Sequence, residues 1–396
     1  MMRDPFDIDE RLERASTLSS RFYTDPQTLE IERRKIFHST WQYVGRTEQL
    51  PEPGSFFTIE VGGEPVLIAK NREGELKAFH NVCRHRAGPV ATASGCRSSF
   101  QCGYHGWTYS LDGRLLATPE FDGVENFRKE NMGLIPIAVE VWEGSIFVNI
   151  LAGKASYANS ISLSDLLEDI PQRTSGLRMA DMRLVQRRDY SLQCNWKVYI
   201  DNYLEGYHIP IVHPSLMREL DYIKYETITR RYYSLQHSPI KQSKDNERYP
   251  RRYSSPEQQT EALYYWIFPN LMLNIYPDNF SINLILPISH ENTLTVFEWY
   301  FVDPRADTTR QAVEKTIEFS DEIQVEDINI CEAVQKGLKS ASYDRGRYSV
   351  RRENGVHHFH LLYRDFMSRQ SREELGSSGP NSSDGPFCGS RESKLS

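Results

Sequence analysis

The chain has no long apolar run: across its 396 residues no window approaches the ~20 consecutive apolar residues that a membrane-spanning helix needs. It has no excess of positive charge either. A net charge of -7 excludes a general nucleic-acid binder, whose phosphate contacts call for a basic surface. The opening stretch MMRDPFDIDERLERAS has no apolar segment of the kind a secretory signal carries, so none is expected. Cysteine is sparse. The 6 residues Cys83, Cys96, Cys102, Cys194, Cys331 and Cys388 are scattered without the pattern of a disulfide framework. A reducing, cytoplasmic setting is therefore expected, in which thiolates stay free for metal. No Gly-rich dinucleotide fingerprint opens a helix after a strand, and there is no internal repeat. Ser393-Lys394-Leu395 has the composition of a peroxisomal address, but Ser396 follows it, and that signal is read at the extreme C-terminus.

What is present is ordinary for a globular protein: 39% hydrophobic and 26% charged residues, in a chain long enough for two or three domains. Residues 1–40 read as an N-terminal helical segment, through ERLERAS and LEIERRKIFHSTW. Residues 41–152 change period, with short β-rich runs (FFTIEV, PVLIAK, SIFVNIL) separated by turns such as Val61-Gly62-Gly63 and Asp112-Gly113, which predicts a small all-β domain. Residues 153–178 form a polar connector. Residues 179–368 mix strands (LYYWIFPNLMLNIYP, INLILPI, LTVFEWYFV) with helices predicted near Trp196 to Tyr207 and Thr308 to Leu338, an α+β arrangement with a sheet wrapped round a helix. Residues 369–396 are Ser/Gly/Pro-rich and read as a disordered tail.

Two Cys–His pairs stand out in the β domain. Cys83-Arg84-His85 is followed, after 16 intervening residues, by Cys102-Gly103-Tyr104-His105. Two thiolates and two imidazoles on two loops fit a [2Fe–2S] cluster in which each kind of ligand holds one iron; replacing two thiolates by neutral imidazoles removes negative charge and raises the potential. Zinc is the competing reading, because Cys₂His₂ is also a tetrahedral zinc set. Zinc fingers, however, keep like ligands together, whereas Cys and His alternate here, and Arg86, Gly106 and Trp107 strengthen the iron–sulfur reading. Cys96 lies between the pairs without a His partner and reads as a plain loop cysteine.

The second constellation is Asn195-Trp196-Lys197-Val198-Tyr199-Ile200-Asp201-Asn202-Tyr203-Leu204-Glu205-Gly206-Tyr207-His208, ending Ile209-Pro210-Ile211-Val212-His213. In a helix Glu205 and His208 share a face; Pro210 then ends the helix, and a turn brings His213 round. A His pair alone is weak evidence for a metal. In the late helix Ile323, Asp327, Ile330, Cys331, Val334 and Leu338 fall on one stripe, with Glu326 on the polar face beside Glu322, Asn329 and Ala333. A carboxylate on an apolar stripe needs a cation, an ion pair or a hydrogen-bond donor. His208, His213 and Asp327 together make the two-His–one-carboxylate set of non-haem Fe(II) sites, with positions left open. A structural ion pair or cap for Asp327 remains the plainer alternative.

The segments CRHRA…CGYHGW, NWK…DN-x(2)-E-x(2)-H-x(4)-H and the late Glu326-Asp327-Ile328-Asn329-Ile330-Cys331-Glu332-Ala333-Val334-Gln335-Lys336-Gly337-Leu338 resemble those of the Rieske non-haem iron oxygenases, over nearly the whole chain to about Phe366. Many members have Pro where Arg84 and Gly103 stand, a departure that spares all four cluster ligands. The resemblance, nearest to the choline, carnitine and glycine-betaine monooxygenase branch of alpha subunits, implies a helix-grip catalytic domain and two cofactors, one [2Fe–2S] cluster and one mononuclear Fe(2+) per subunit. It implies a homotrimer in which Glu205 bridges His208 to a cluster His of the neighbouring subunit, with Asp201 and Asn202 steadying the same network. The plainer reading of Glu205 is a surface residue. A separate flavin/iron-sulfur reductase using NAD(P)H is implied, with O₂ as co-substrate.

The expected reaction is hydroxylation or N-demethylation of a small quaternary-ammonium compound. Tyr203, Tyr207, Tyr264, Trp266, Phe268, Tyr276 and Phe297 are candidates for an aromatic cage, although aromatics on strands are more often core. A ring-hydroxylating dioxygenase is the second reading, and an electron-transfer or ligand-binding protein without turnover is the third. His237, His290 and the run His357-His358-Phe359-His360 read as surface or structural.

Overall fold

A computed structural model describes residues 7–152, 161–239, 261–276, 279–302 and 307–369. The expected disordered tail from residue 370 onward, with Ser393-Lys394-Leu395, and residues 153–160 of the connector lie outside the described residues.

The β domain is built on a sheet whose strands run, in spatial order, Gln42–Arg46, Ser145–Asn149, Pro136–Trp142, Leu76–His80, Glu64–Lys70, Ser55–Val61 and Ser94–Cys96. The run PVLIAK is apolar without alternation because both faces of its strand are covered. Val66 and Ile68 enter one core with Phe57, Ala78 and Ile146, whereas Leu67 and Ala69 enter a second with Phe56, Phe79, Cys83, Cys102 and Trp107. That second core is the platform beneath the two Cys–His loops. A small sheet of Phe100–Gln101, Thr108–Tyr109 and Leu115–Ala117 places Cys102 just after one strand and His105 in the turn before the next.

The larger domain is an antiparallel sheet in the order Arg183–Leu192, Asn292–Phe301, Asn279–Ser289, Leu271–Ile275, Glu261–Ile267, Tyr233–Pro239 and Glu226–Thr229. LYYWIFPNLMLNIYP is two of these strands, not one: Phe268, Pro269 and Asn270 make the turn between them. Register then decides which side chains face the site. Tyr264 lies opposite Asn274, Asn274 opposite Ser281 and Ser281 opposite Trp299. Residues directly opposite share a face, so these four form one row across four strands, and Asn283 and Phe297 continue the same face two residues along.

Against the sheet pack the helix Trp196–Tyr203 and the long helix Asp307–Leu338, with a further helix, Asn354–Met367, behind them. Trp196–Tyr203 is started by the Asn195 side chain, which accepts from the Lys197 N–H. It is anchored by a buried carboxylate: Glu32 accepts from Trp196 Nε1 at 2.8 Å, Lys197 Nζ at 2.6 Å and the Tyr363 hydroxyl at 2.8 Å. The N-terminal segment that supplies Glu32 is helical in short pieces, Arg21–Thr24, Pro26–Glu32 and Arg33–Phe37. The two sheets are joined by Tyr43, whose hydroxyl donates to Glu298 Oε2 at 2.8 Å, and Arg46 ties the first sheet to the turn before the second by donating to the Met179 carbonyl at 2.8 Å.

Candidate active site

Cys83 and Cys102 are buried, His85 is half-buried and His105 is exposed. The two imidazole rings stand 4.6 Å apart between centroids, and the Trp107 indole stacks on His85 at 4.8 Å and 9°. Backbone bonds from Cys102 N to Trp107 O at 2.9 Å and from Gly106 N to Cys102 O at 3.0 Å tie the second loop into a tight turn, which Gly106 closes at φ +74°. The Tyr109 hydroxyl lies 3.2 Å from Cys83 Sγ and accepts from the Arg84 N–H at 2.9 Å. His85 Nδ1 is buried without a hydrogen-bond partner, the state of a nitrogen shaped to meet a metal. Among the described residues the one group of three or more His, Cys, Asp or Glu ligand atoms within 4.8 Å is His208, His213 and Asp327. The two Cys–His loops bring together two thiols and two imidazoles, the donor set of a two-iron cluster with one kind of ligand on each iron.

The second site departs from the expected helix. Trp196–Tyr203 ends with Leu204 as its C-cap, so Glu205 and His208 do not share a helical face. They meet through a turn instead. The Glu205 carboxylate accepts from the N–H of Tyr207 and, at 3.1 Å, of His208, and its other oxygen lies 2.6 Å from His208 Nδ1. Gly206 is required in this turn, because a Cβ there would lie 2.8 Å from the Tyr225 ring. Pro210 does not end a helix but sits in the first turn of a new one, Ile209–Val212, where a missing N–H costs nothing. That short helix carries the chain from His208 to His213, leaving the rings 4.9 Å apart.

Asp327 reaches both histidines, its Oδ1 lying 2.9 Å from His213 Nε2 and 3.8 Å from His208 Nε2. The same oxygen accepts from Asn202 Nδ2 at 2.6 Å. The stripe that buries Asp327 is more polar than expected: Gln324, Asp327, Cys331 and Gln335 face inward, whereas Ile330 and Val334 are exposed. Glu326, expected on the more polar face, lies 2.6 Å from His213 Nδ1. Burial pulls the His213 pKa down, but the hydrogen bonds and charges of Asp327 and Glu326 outweigh it and leave it raised. Asp201 does not join this network. It points the other way, accepting from Tyr23 at 2.6 Å and meeting His360 Nε2 at 2.9 Å. Of the two readings open for them, surface or structural, His357 and His360 take the structural one, buried in the Asn354–Met367 helix.

His208, His213, Asp327 and Glu205 line a cavity of about 160 Å³. Of the aromatics proposed from sequence, Tyr203, Tyr264, Tyr276 and Phe297 line it, whereas Trp266 and Phe268 are core and Tyr207 is exposed. Tyr199, Tyr225, Trp299 and Phe319 also line it and were missed. For Trp299 the signal was available: strict alternation from Phe297 puts it on the same face. The polar wall is Asn274, Ser281 and Asn283, with Tyr203 donating to Asn274 Oδ1 at 2.7 Å and Asn274 donating to Ser281 at 3.1 Å.

Residues 179–369 match the family described as "Ring hydroxylating alpha subunit (catalytic domain)", and residues 40–128 match "Rieske [2Fe-2S] domain". A choline monooxygenase of Arabidopsis thaliana (chloroplastic) is 37% identical, over 90% of this chain and 84% of its own length. The chain belongs to the Rieske non-haem iron oxygenases. The oxygenase is also 30% identical to a carnitine monooxygenase oxygenase subunit of Acinetobacter pittii, over 88% of this chain and 94% of that one. Among solved structures, a quaternary ammonium Rieske monooxygenase in complex with L-carnitine superposes with a TM-score of 0.78 at 29% identity, over 93% of this chain and 100% of that one. The oxygenase is accordingly an oxidoreductase with a [2Fe–2S] cluster and a mononuclear iron, and its family works with a reductase and small substrates. No helix among the described residues is long and apolar enough to cross a membrane.

Proposed function

We propose that this oxygenase is the terminal component of a two-component monooxygenase that oxidises a small quaternary-ammonium compound. The observation that carries the reading is the conjunction, around one cavity, of a His–His–carboxylate set with tyrosine and tryptophan faces. Aromatic faces attract a quaternary ammonium group, which has no N–H to donate and gains little from hydrogen-bond acceptors. The relatives named above, a choline and a carnitine monooxygenase, support the same substrate class. In this reading Cys83, His85, Cys102 and His105 hold the cluster, and His208, His213 and Asp327 hold the mononuclear iron. When bound, the iron supplies O₂ activation and the cluster supplies electrons delivered by a separate flavin/iron-sulfur reductase that uses NAD(P)H.

The remaining steps belong to the chain's own groups. The tyrosine and tryptophan faces take the ammonium and exclude water around it. Glu205 fixes the His208 ring through Nδ1 and presents Nε2 to the metal. Glu205 also couples this site to the cluster of a second copy in a homotrimer. The exposed His105 and Tyr104 at the cluster tip, and the exposed Tyr207 and Ile211 beside Glu205, are the surfaces such a contact covers. A solved relative is described in terms of inter-subunit electron transfer. A cytoplasmic location completes the proposal.

The test is oxygen uptake with a generic reductase and NAD(P)H, comparing choline, L-carnitine, glycine betaine and simple aromatics, with formaldehyde and aldehyde assayed as products. Uptake coupled to a quaternary-ammonium substrate, with about three Fe per chain, is expected. Coupled uptake with aromatics alone selects ring hydroxylation, and about two Fe per chain without uptake selects an electron-transfer protein.

A further inference from the structure

Both histidines of the His–His–carboxylate set have a carboxylate on Nδ1, and the two carboxylates come from different places. On His208 it is Glu205, three residues earlier in the same turn. On His213 it is Glu326, from the long helix 113 residues away in sequence. Glu326 immediately precedes Asp327, so their side chains leave the helix about 100° apart. The His213 ring sits between them, with Nδ1 at 2.6 Å from Glu326 Oε2 and Nε2 at 2.9 Å from Asp327 Oδ1. His213 is 1% exposed, whereas the Glu326 side chain is 28% exposed. A bond of 2.6 Å to a buried imidazole is in the charge-assisted range and is not a contact between two free surface groups.

We infer that Glu326 is a positioning residue for the mononuclear iron: it accepts the Nδ1 proton of His213, fixes the tautomer with its lone pair on Nε2, and locks the ring toward the metal. The inference rests on His213 being an iron ligand. A neutral imidazole carries one N–H, and the nitrogen that bears it is set by the hydrogen bond the ring makes. With Nδ1–H donated to Glu326, Nε2 is the free donor atom and faces the same point as His208 Nε2 and Asp327. The carboxylate also raises the basicity of the ring, strengthening its bond to a cation. One helix thereby supplies a ligand and the support of a second ligand from adjacent residues. A shift of that helix moves both together.

The experiment is an anaerobic titration of cobalt(II) into cluster-loaded protein depleted of mononuclear iron, read by the d–d absorption of the bound ion. Glu326→Ala is expected to weaken cobalt binding by about 10- to 100-fold, with cluster absorbance and thermal midpoint close to those of the unmodified protein. Glu326→Gln, whose amide oxygen still accepts from Nδ1, is expected to recover most of the affinity. Glu322→Gln is the control for charge alone: Glu322 lies one turn earlier on the same helix and accepts from Ser215 at 2.7 Å, so its loss is expected to leave binding unchanged. His213→Ala separates the premises. If it binds cobalt as tightly as the unmodified protein, His213 is not a ligand and the underlying site assignment fails. If it weakens binding while Glu326→Ala stays within twofold, the assignment stands and the role given to Glu326 is overturned. Equal losses in Glu326→Ala and Glu322→Gln also overturn it, reducing the effect to general electrostatics.

Discussion

Asn202 and Asp327 are joined by a 2.6 Å hydrogen bond from Nδ2 to Oδ1, and the accepting oxygen is the one that faces His213. Asn202 comes from the Trp196–Tyr203 helix and Asp327 from the Asp307–Leu338 helix, so the bond ties the helix that leads into the Glu205–His208 turn to the helix that carries the carboxylate of the proposed iron site. A carboxylate on a long helix has two torsions with which to turn away; the amide removes that freedom. Asn202→Ala is therefore expected to lower turnover about 10-fold or more, because partners that orient metal ligands matter at that level. The check is turnover per mononuclear iron, with cluster absorbance as internal control. Turnover unchanged at full iron loading would dissociate Asn202 from the site.

The Tyr109 hydroxyl stands 3.2 Å from Cys83 Sγ, and the Arg84 N–H donates to that hydroxyl oxygen, leaving the phenolic proton for the sulfur. Burial and the neighbouring Cys83 sulfur push the Tyr109 pKa well up, so the proton stays in place throughout the physiological range. Hydrogen bonds to cluster sulfurs withdraw electron density and raise the potential. Tyr109→Phe, which keeps the ring in its buried slot, is expected to lower the cluster potential by tens of millivolts. Redox titration of the visible spectrum measures it, and a potential that stays put or rises contradicts the assignment of that proton.

His358 provides a pH dependence whose sign is fixed. Its pKa is lowered from 6.5 to about 4, chiefly by burial, with bonds to the backbone of Arg230 and Arg231 opposing. Between about pH 6.5 and pH 4 the unfolded chain binds a proton at this position that the folded chain does not, so stability falls as pH falls through that window and levels off below it. At ~1.4 kcal/mol per pKa unit the loss approaches about 3 kcal/mol. His358→Gln removes the titration. Thermal midpoints at pH 7 and pH 5 are expected to differ less in this variant than in the unmodified protein. An identical pH slope in both assigns the acid sensitivity elsewhere.

Much of the candidate site was legible because a metal-binding set would restrict residue type and spacing together, and the structure brings His208, His213 and Asp327 to one point. The alternation of Cys and His, and a carboxylate where helical periodicity calls for an apolar residue, are departures from packing rules, and departures are visible in a sequence. Glu205 was legible from its distance to His208, although the geometry is a turn and not a helical face. Glu326 was not legible. Periodicity groups it with Glu322 and Asn329 on a solvated face, and only the approach of the short helix Ile209–Val212 brings His213 against it. The inward turn of Asp201 toward His360 depended on the helix Asn354–Met367, whose buried stripe of Val356, Phe359, His360, Tyr363 and Phe366 carries a histidine that periodicity alone does not pair with a distant carboxylate. Hydrophobic pattern locates elements, but contacts between polar groups on distant elements are set by tertiary packing.

That dependence on distant packing is sharpest at Glu32 and Lys197, both fully buried and 2.6 Å apart. Glu32 belongs to the N-terminal segment, and Lys197 lies in the first turn of the helix that leads to Asn202 and the Glu205 turn. Burial alone lowers the Lys197 pKa, and the Glu32 carboxylate only partly restores it. Removing one partner leaves the other charge buried and unpaired, which costs about 3–5 kcal/mol. Lys197→Met is expected to be destabilised by that amount, whereas the double variant Glu32→Gln/Lys197→Met recovers part of the loss, since an amide is far cheaper to bury than a carboxylate. Denaturant unfolding of the single and double variants measures the coupling. Because the destabilised helix leads into the proposed mononuclear site, the single variant is also expected to lose mononuclear iron before its cluster. A Lys197→Met protein as stable as the unmodified chain, or one that sheds its cluster first, would separate this ion pair from the architecture of the site.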